Sequence, residues 1–139
     1  MEQGLFESLV GRFADGTPVA GVPAGQRRLR SVIDHLHRLF NTREGSLPHL
    51  QGYGLPDISH VYRTLPEGAE GLRDAMRSAV ERYEPRLRKV KVVQQETDAR
   101  TGRLVFLLSA QLPGAGQVRF QTTFTSAGES AVAQWKRAE

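Results

Sequence analysis

The sequence predicts an α+β fold: a three-stranded antiparallel meander sheet packed against two main helices, with an N-terminal helical arm. Two observations carry this. Apolar residues recur at helical spacing in two long segments of the first 83 residues, and three closely linked runs with strand patterning fill residues 89–125. The chain has 139 residues, which suits one domain that buries roughly two-thirds of the surface its unfolded chain exposes. The expected organisation is an N-terminal arm and linker at 1–25, a single α+β domain at 26–125 and a C-terminal tail at 126–139.

In the arm, Leu5, Phe6, Leu9, Val10 and Phe13 fit a short helix over residues 4–13. Gly16, Pro18, Gly21, Pro23 and Gly25 then read as a linker. Leu29, Val32, Ile33, Leu36, Leu39 and Phe40 form one apolar stripe on a helix of about residues 26–41, which Asn41 is placed to cap in the left-handed region. An irregular stretch with Gly45, Pro48, Gly52, Gly54 and Pro56 follows, and Asp57 or Ser59 is placed to start a short helical turn. The third helix runs from about Pro66 to Tyr83 on the stripe Leu72, Ala75, Met76, Ala79, Val80 and Tyr83. Pro85 ends it, because a proline excludes the helical conformation at Glu84.

Strand patterning begins at Lys89 to Gln95, and Asp98 to Gly102 makes the first turn. Leu104 to Leu112 is the second strand. Its run Leu104-Val105-Phe106-Leu107-Leu108 is apolar on both faces, which predicts a central strand or one covered on both sides. Pro113 to Gly116 is the next turn. The third strand, Val118 to Thr125, alternates Val118, Phe120, Thr122 and Phe124 with polar residues. The tail from Ser126 is weakly patterned and predicts a frayed end.

Charge and cysteine content narrow the function. There is no cysteine, hence no disulfide framework, thiolate metal site or cysteine nucleophile, as expected of a protein in reducing cytosol. The start, Met1-Glu2-Gln3-Gly4-Leu5, carries acid where a signal peptide carries base, and the longest apolar run, Leu104 to Leu108, is far too short to span a bilayer. The expectation is a cytoplasmic protein without membrane insertion. The net charge is +4, concentrated in two basic blocks at residues 27–43 and 82–91, and the base is mostly arginine, the preferred cation at interfaces.

Three segments stand in a distinctive order. Leu39-Phe40-Asn41-Thr42-Arg43 closes the long helix, Gly52-Tyr53-Gly54-Leu55-Pro56-Asp57-Ile58-Ser59 forms the middle loop, and Tyr83-Glu84-Pro85-Arg86-Leu87 ends the third helix before a basic strand. Together, over residues 29–125, they resemble the TssE family of type VI secretion baseplate components, itself similar to the so-called lysozyme-like wedge protein of tailed-phage baseplates. Family members often carry an acidic-aromatic pattern before the Asn-Thr-Arg segment, where this chain reads Asp34-His35-Leu36-His37-Arg38. The resemblance implies a non-catalytic structural subunit. Its implied partners are baseplate wedge proteins, met through Glu84, Pro85, Arg86 and Leu87, and contractile sheath subunits, met through a sheet edge. No cofactor, metal or small-molecule substrate is implied.

The residues themselves support parts of this. Pro85 stiffens the bend, Leu87 anchors it to the core, and Glu84 and Arg86 form a charged pair; exposed, the pair would contribute only about 0–1 kcal/mol to stability. Arg43, Lys89 and Lys91 are further partner-binding candidates, the two lysines discouraging self-pairing at the edge of the first strand while attracting an acidic strand. The third strand is an equally regular candidate edge. The loop motif Gly52, Tyr53, Gly54, Leu55, Pro56 and Asp57 lacks the lysine of a phosphate loop and reads as a tight turn, with Asp57 as turn or cap.

Other functions fit less well. A peptidoglycan hydrolase needs a carboxyl of raised pKa, and the cations around Glu84 push the other way, with Glu81 the only neighbouring acid. A basic nucleic-acid-binding module would use the two basic blocks, but no recognised motif or stacking aromatics accompany them. His35 and His37 lie two apart on a helix and face different ways, and with His49 and His60 read as surface or packing residues rather than metal ligands.

Overall fold

The computed structural model describes residues 24–95 and 102–135. The expected arm helix at 4–13, most of the linker and most of the turn at 98–102 lie outside the described residues. Three helices come first: α1 (Ala24–Phe40), α2 (Ile58–Arg63) and α3 (Glu67–Tyr83). Four strands follow: β1 (Arg88–Gln94), β2 (Leu104–Leu112), β3 (Gly116–Phe124) and β4 (Ser130–Gln134). They form one sheet in the order β1-β2-β3-β4, every neighbouring pair antiparallel.

The apolar stripes do what their spacing requires. Val32, Leu36 and Leu39 of α1 and Leu72, Met76 and Val80 of α3 are buried in the same core as Val90, Val92, Leu104, Phe106, Leu108, Phe120 and Phe124 of the sheet. Phe124 is a hub: its ring lies 5.8 Å from Phe106, edge to face, and 6.5 Å from Phe40. Asp57 caps α2, its Oδ1 accepting the Ser59 N–H at 3.0 Å. Glu67 and Glu70 occupy the first turn of α3, where the helix dipole favours negative charge.

The sheet has four strands, not three. β4 lies in the segment expected to be a frayed tail. The turn before it holds Gly128 at φ 92° and closes with the Thr125 N–H donating to Glu129 O at 3.0 Å. The sequence Ser-Ala-Val-Ala-Gln of β4 has small side chains and little alternation, so its pairing comes from the turn and from Asn41 rather than from hydrophobic pattern. In consequence β3 is an inner strand, and the expectation that Val118–Thr125 offers an edge is overturned.

Asn41 also departs from expectation. It does not take the left-handed conformation; Lys89, at φ 53°, is the only non-glycine residue with positive φ among those described. The Asn41 carboxamide turns to β4 instead. Its Oδ1 accepts the Ser130 N–H at 2.9 Å and its Nδ2 donates to Ser130 O at 3.1 Å, as a neighbouring strand would. The same Nδ2 donates to His37 O at 2.7 Å, a helix-end carbonyl that also accepts the Asn41 N–H at 3.2 Å.

β2 is central, as predicted, but its second face is not covered by any described helix. The buried positions of all four strands fall on one face, and Val105 and Leu107 are half-buried on the other.

Candidate functional site

The sequence motifs meet at one end of the helical layer. Pro85 forces α3 to stop, leaving Glu84 at φ −127° and ψ 76°, the extended conformation a residue before proline prefers. The Glu84 N–H still reaches Val80 O at 2.8 Å, so the side chain is fixed at the helix end. That side chain is only 1% exposed.

A buried carboxylate at a helix C-terminus is unfavourable unless donors surround it. Here four bonds converge on it. Arg86 Nε and its backbone N–H donate to Oε1 at 2.8 and 3.2 Å, and Arg86 Nη2 donates to Oε2 at 2.8 Å. His35 Nδ1 donates to Oε2 at 2.7 Å. Arg86 Nη1 continues to Ser31 Oγ at 2.9 Å, and His35 Nε2 shares a hydrogen bond of 3.1 Å with the Tyr53 hydroxyl. Burial alone would raise the Glu84 pKa. The hydrogen bonds and positive charge of Arg86, then those of His35, more than reverse that and hold it at about 2. The direction expected from sequence stands; of the cations then weighed Arg86 makes the contact, and His35 was not foreseen. Burial, with a smaller contribution from the Glu84 charge, raises the Tyr53 hydroxyl pKa against the opposing field of Arg38.

The middle loop is built to deliver Tyr53. Gly54 takes φ 115°, and a Cβ there would strike the backbone of Thr42 and Arg43. That closeness lets Leu55 N–H donate to Thr42 O at 2.9 Å and Glu44 N–H donate to Leu55 O at 2.8 Å, a single parallel bridge between Arg43 and Leu55. A Cβ on Gly52 would lie 2.8 Å from the Tyr83 hydroxyl. Tyr53 then stacks on His35 and meets the Tyr83 ring edge to face at 5.1 Å. The two glycines serve a turn, as the sequence indicated, and the turn holds up one side of the ion-pair corner.

The candidate residues therefore fall into three groups. Glu84, Arg86 and Tyr53 form one network with Ser31 and His35; Leu87 is buried under it and Pro85 is exposed at its rim. Arg43, exposed, joins Leu55, Pro56 and Asp57 around a surface cavity of about 170 Å³, closed on the far side by Ala127 and Gly128. Lys89 and Lys91 are exposed on β1. The Glu84–Arg86 pair is not solvent-exposed: the acid is sealed, and the value of about 0–1 kcal/mol for an exposed pair does not apply to it. Ser31 and His35 were missed. They stand four apart on α1 and so share a face, which was the available signal; their distance of some fifty residues from Glu84 in sequence gave none.

At the sheet's first edge, β1 carries a bulge. Arg88 pairs with Gln111 but Lys91 with Ser109, so β1 has one residue more than β2 between these pairs, and Lys89 sits there in the left-handed region. Beyond it, Gln95 N–H donates to Val105 O at 2.8 Å. In an antiparallel ladder the bonded positions alternate, so Lys91 and Val93 bond inward to β2 while the backbone N–H and C=O of Val92 face the open side. On β4, at the opposite edge, the first outward position, Ser130, is taken by Asn41.

Among the described residues no cluster of three or more His, Cys, Asp or Glu could hold a metal ion, and no helix is long and apolar enough to cross a membrane.

Comparison with known proteins agrees with the motifs. Residues 26–117 match the family described as baseplate wedge protein gp25. No curated protein sequence matches the chain. Among solved structures, a chain of the baseplate complex from the type VI secretion system is 28% identical, covering 73% of this chain and 98% of its own length, with a TM-score of 0.60. A Geobacter sulfurreducens protein described as a tail lysozyme shares the fold at 13% identity and a TM-score of 0.50, covering 78% of this chain and 91% of its own. The resemblance carried by the Asn-Thr-Arg, Gly-Tyr-Gly-Leu-Pro-Asp and Glu-Pro-Arg segments thus stands, and the chain belongs to the baseplate wedge protein gp25 family.

Proposed function

We infer that this chain is a non-catalytic structural subunit of a type VI secretion baseplate, which docks onto the other wedge subunits and starts the contractile sheath from its β1 edge. The observation that carries the reading is the 28% identical match to a baseplate-complex chain along 98% of that chain's length, over a domain whose sheet leaves β1 at an edge. The arrangement of the site supports a structural role. Glu84, held at about 2, is ionised at neutral pH and has no proton to give a glycosidic oxygen. Glu81 is exposed and lies 3.7 Å from Arg77 one helical turn away. The corner instead keeps a rigid junction between α3 and β1, with Pro85 and one side of Arg86 at the surface, where a partner carboxylate can meet the guanidinium.

At the edge, the outward backbone of Val92 supplies a donor and an acceptor for a sheath strand, and Lys89 and Lys91 favour an acidic one. Co-purification with the sheath and wedge proteins encoded beside it tests the assignment. Recovery of a stable complex, and sheaths of full length only when this chain is present, is the expected result. Peptidoglycan turnover by the pure protein that is abolished by Glu81→Gln or Glu84→Gln would replace the reading with an enzymatic one.

A further inference from the structure

The sheet face turned away from the helices has a composition the β1 edge does not account for. Two neighbouring rows of the side chains that cross it set its character. One runs Val93, Leu107, Gln121, Ala133 through successive strand pairings; the next runs Lys91, Ser109, Arg119, with Trp135 beside Arg119. Along each strand the rows are two residues apart, about 7 Å. The first row carries large apolar side chains at its β1 and β2 positions, where an uncovered face is ordinarily polar: Val93 is 59% exposed and Leu107, on a central strand, is half-buried. The second is cationic. Arg119 lies over the Trp135 ring at 5.5 Å from its centroid, so the tryptophan orders the guanidinium.

The charge is one-sided. The four strands hold Arg88, Lys89, Lys91 and Arg119 and no acid. Among the described residues of the sheet and its hairpin turns the one acid is Glu129, in the β3–β4 turn, at the opposite end of the strands from Arg119 and Trp135. Exposed and half-buried apolar side chains beside a cationic row, with tryptophan and arginine in contact, have the make-up of a protein-binding hot spot that selects negative charge.

We propose that this face docks an acidic amphipathic helix of a partner protein. The helix crosses the strands, its apolar side on Val93, Leu107 and Val105, its carboxylates against Lys91 and Arg119. Four strands span roughly 14 Å, which about ten residues of helix would cover. The surface shares Lys91 and Val93 with the β1 edge but extends beyond it, because Leu107 and Arg119 lie on inner strands whose backbones are already paired on both sides.

Trp135 is the only tryptophan in the chain and reports on the site. The probe is a designed 18-residue helix with leucine on one side and glutamate beside it, titrated against the full-length protein and followed by Trp135 emission. A control peptide carries lysine for glutamate, and a 20-base-pair duplex DNA serves as the competing ligand class. The acidic helix is expected to shift the emission and bind at least about tenfold tighter than the lysine peptide, with Arg119→Glu reversing the order and Leu107→Asp abolishing binding. Both variants must retain the parental circular dichroism; should Leu107→Asp fail to fold, Leu107→Ser takes its place. No emission shift with the acidic helix, no preference between peptides, or tighter binding of the DNA each overturns the proposal. So does binding that appears only after residues 1–23 are deleted, since the chain's own arm would then be the occupant. None of these outcomes bears on strand addition at β1.

Discussion

Glu84 and Arg86 grip each other at two points across a single proline, Nε to Oε1 and Nη2 to Oε2, both at 2.8 Å. The pair is inside the domain, so its worth is set by what remains when one member is removed. Glu84→Ala leaves a half-buried guanidinium, and Arg86→Ala leaves a sealed carboxylate. Each is expected to cost about 3–5 kcal/mol, lowering the melting temperature by about 10 °C or more. Calorimetry of the isolated variants decides it. A loss below about 1 kcal/mol would mean that water reaches the pair and that its charges are free for a partner.

The same carboxylate sets an acid limit. Its folded pKa of about 2 lies below the ordinary value of 4.5, so the unfolded chain takes up the proton first as pH falls. The stabilisation is complete above about 4.5 and is lost as pH drops through that window towards 2. The loss should be on the order of 3 kcal/mol. Urea unfolding at pH 5, 4 and 3 should show the decline in the parent and a flatter dependence in Glu84→Gln. Equal slopes in the two proteins would place the acid sensitivity elsewhere.

Proline scanning separates the edge from the interior. The Val92 N–H faces the open side of β1, so Val92→Pro removes no described ladder bond, and Val92→Ala corrects for the lost side chain. Val92→Pro should melt close to Val92→Ala yet fail to start sheaths. Gln121→Pro, on β3 between Leu107 and Ala133, should instead unfold the domain, because β3 is an inner strand and proline cannot donate to its ladder. Full-length sheaths nucleated by folded Val92→Pro would exclude strand addition at this edge.

Asn41 should prove to be a sheet residue as much as a helix end. Asn41→Ala loses both bonds to Ser130 and is expected to cost about 1–2 kcal/mol. Hydrogen exchange should rise selectively in residues 130–134, leaving β1 and β2 protected. Uniform loss of protection would show that the clamp is part of the global core.

One core position is open to improvement. Thr122 is fully buried on β3, and its hydroxyl has no hydrogen-bond partner. Thr122→Val keeps the shape and removes the stranded polar group, so it should raise stability by about 1 kcal/mol, read as a gain of a few degrees in thermal melting.

Much of this was legible in the sequence because single elements carried their own signals. The stripes of α1 and α3, the stop at Pro85 and the alternation of β3 needed no partner to be recognised. β4 was not, because its alanines pack on no pattern and it pairs through a turn and a distant carboxamide. The motif residues were found by resemblance, but the fate of Glu84 was not, since burial depends on His35 and Ser31 arriving from α1. Asn41 was read as the left-handed end its residue type prefers; the ladder position at Ser130 offered its side chain two bonds instead.

The two borders of the sheet are unlike, and that asymmetry gives the domain a polarity. On one border a side chain answers the first outward peptide of a five-residue strand; on the other a peptide group faces outward beside like-charged lysines. A strand arriving from outside therefore meets the Asn41 clamp at one border and a pair of lysines at the other.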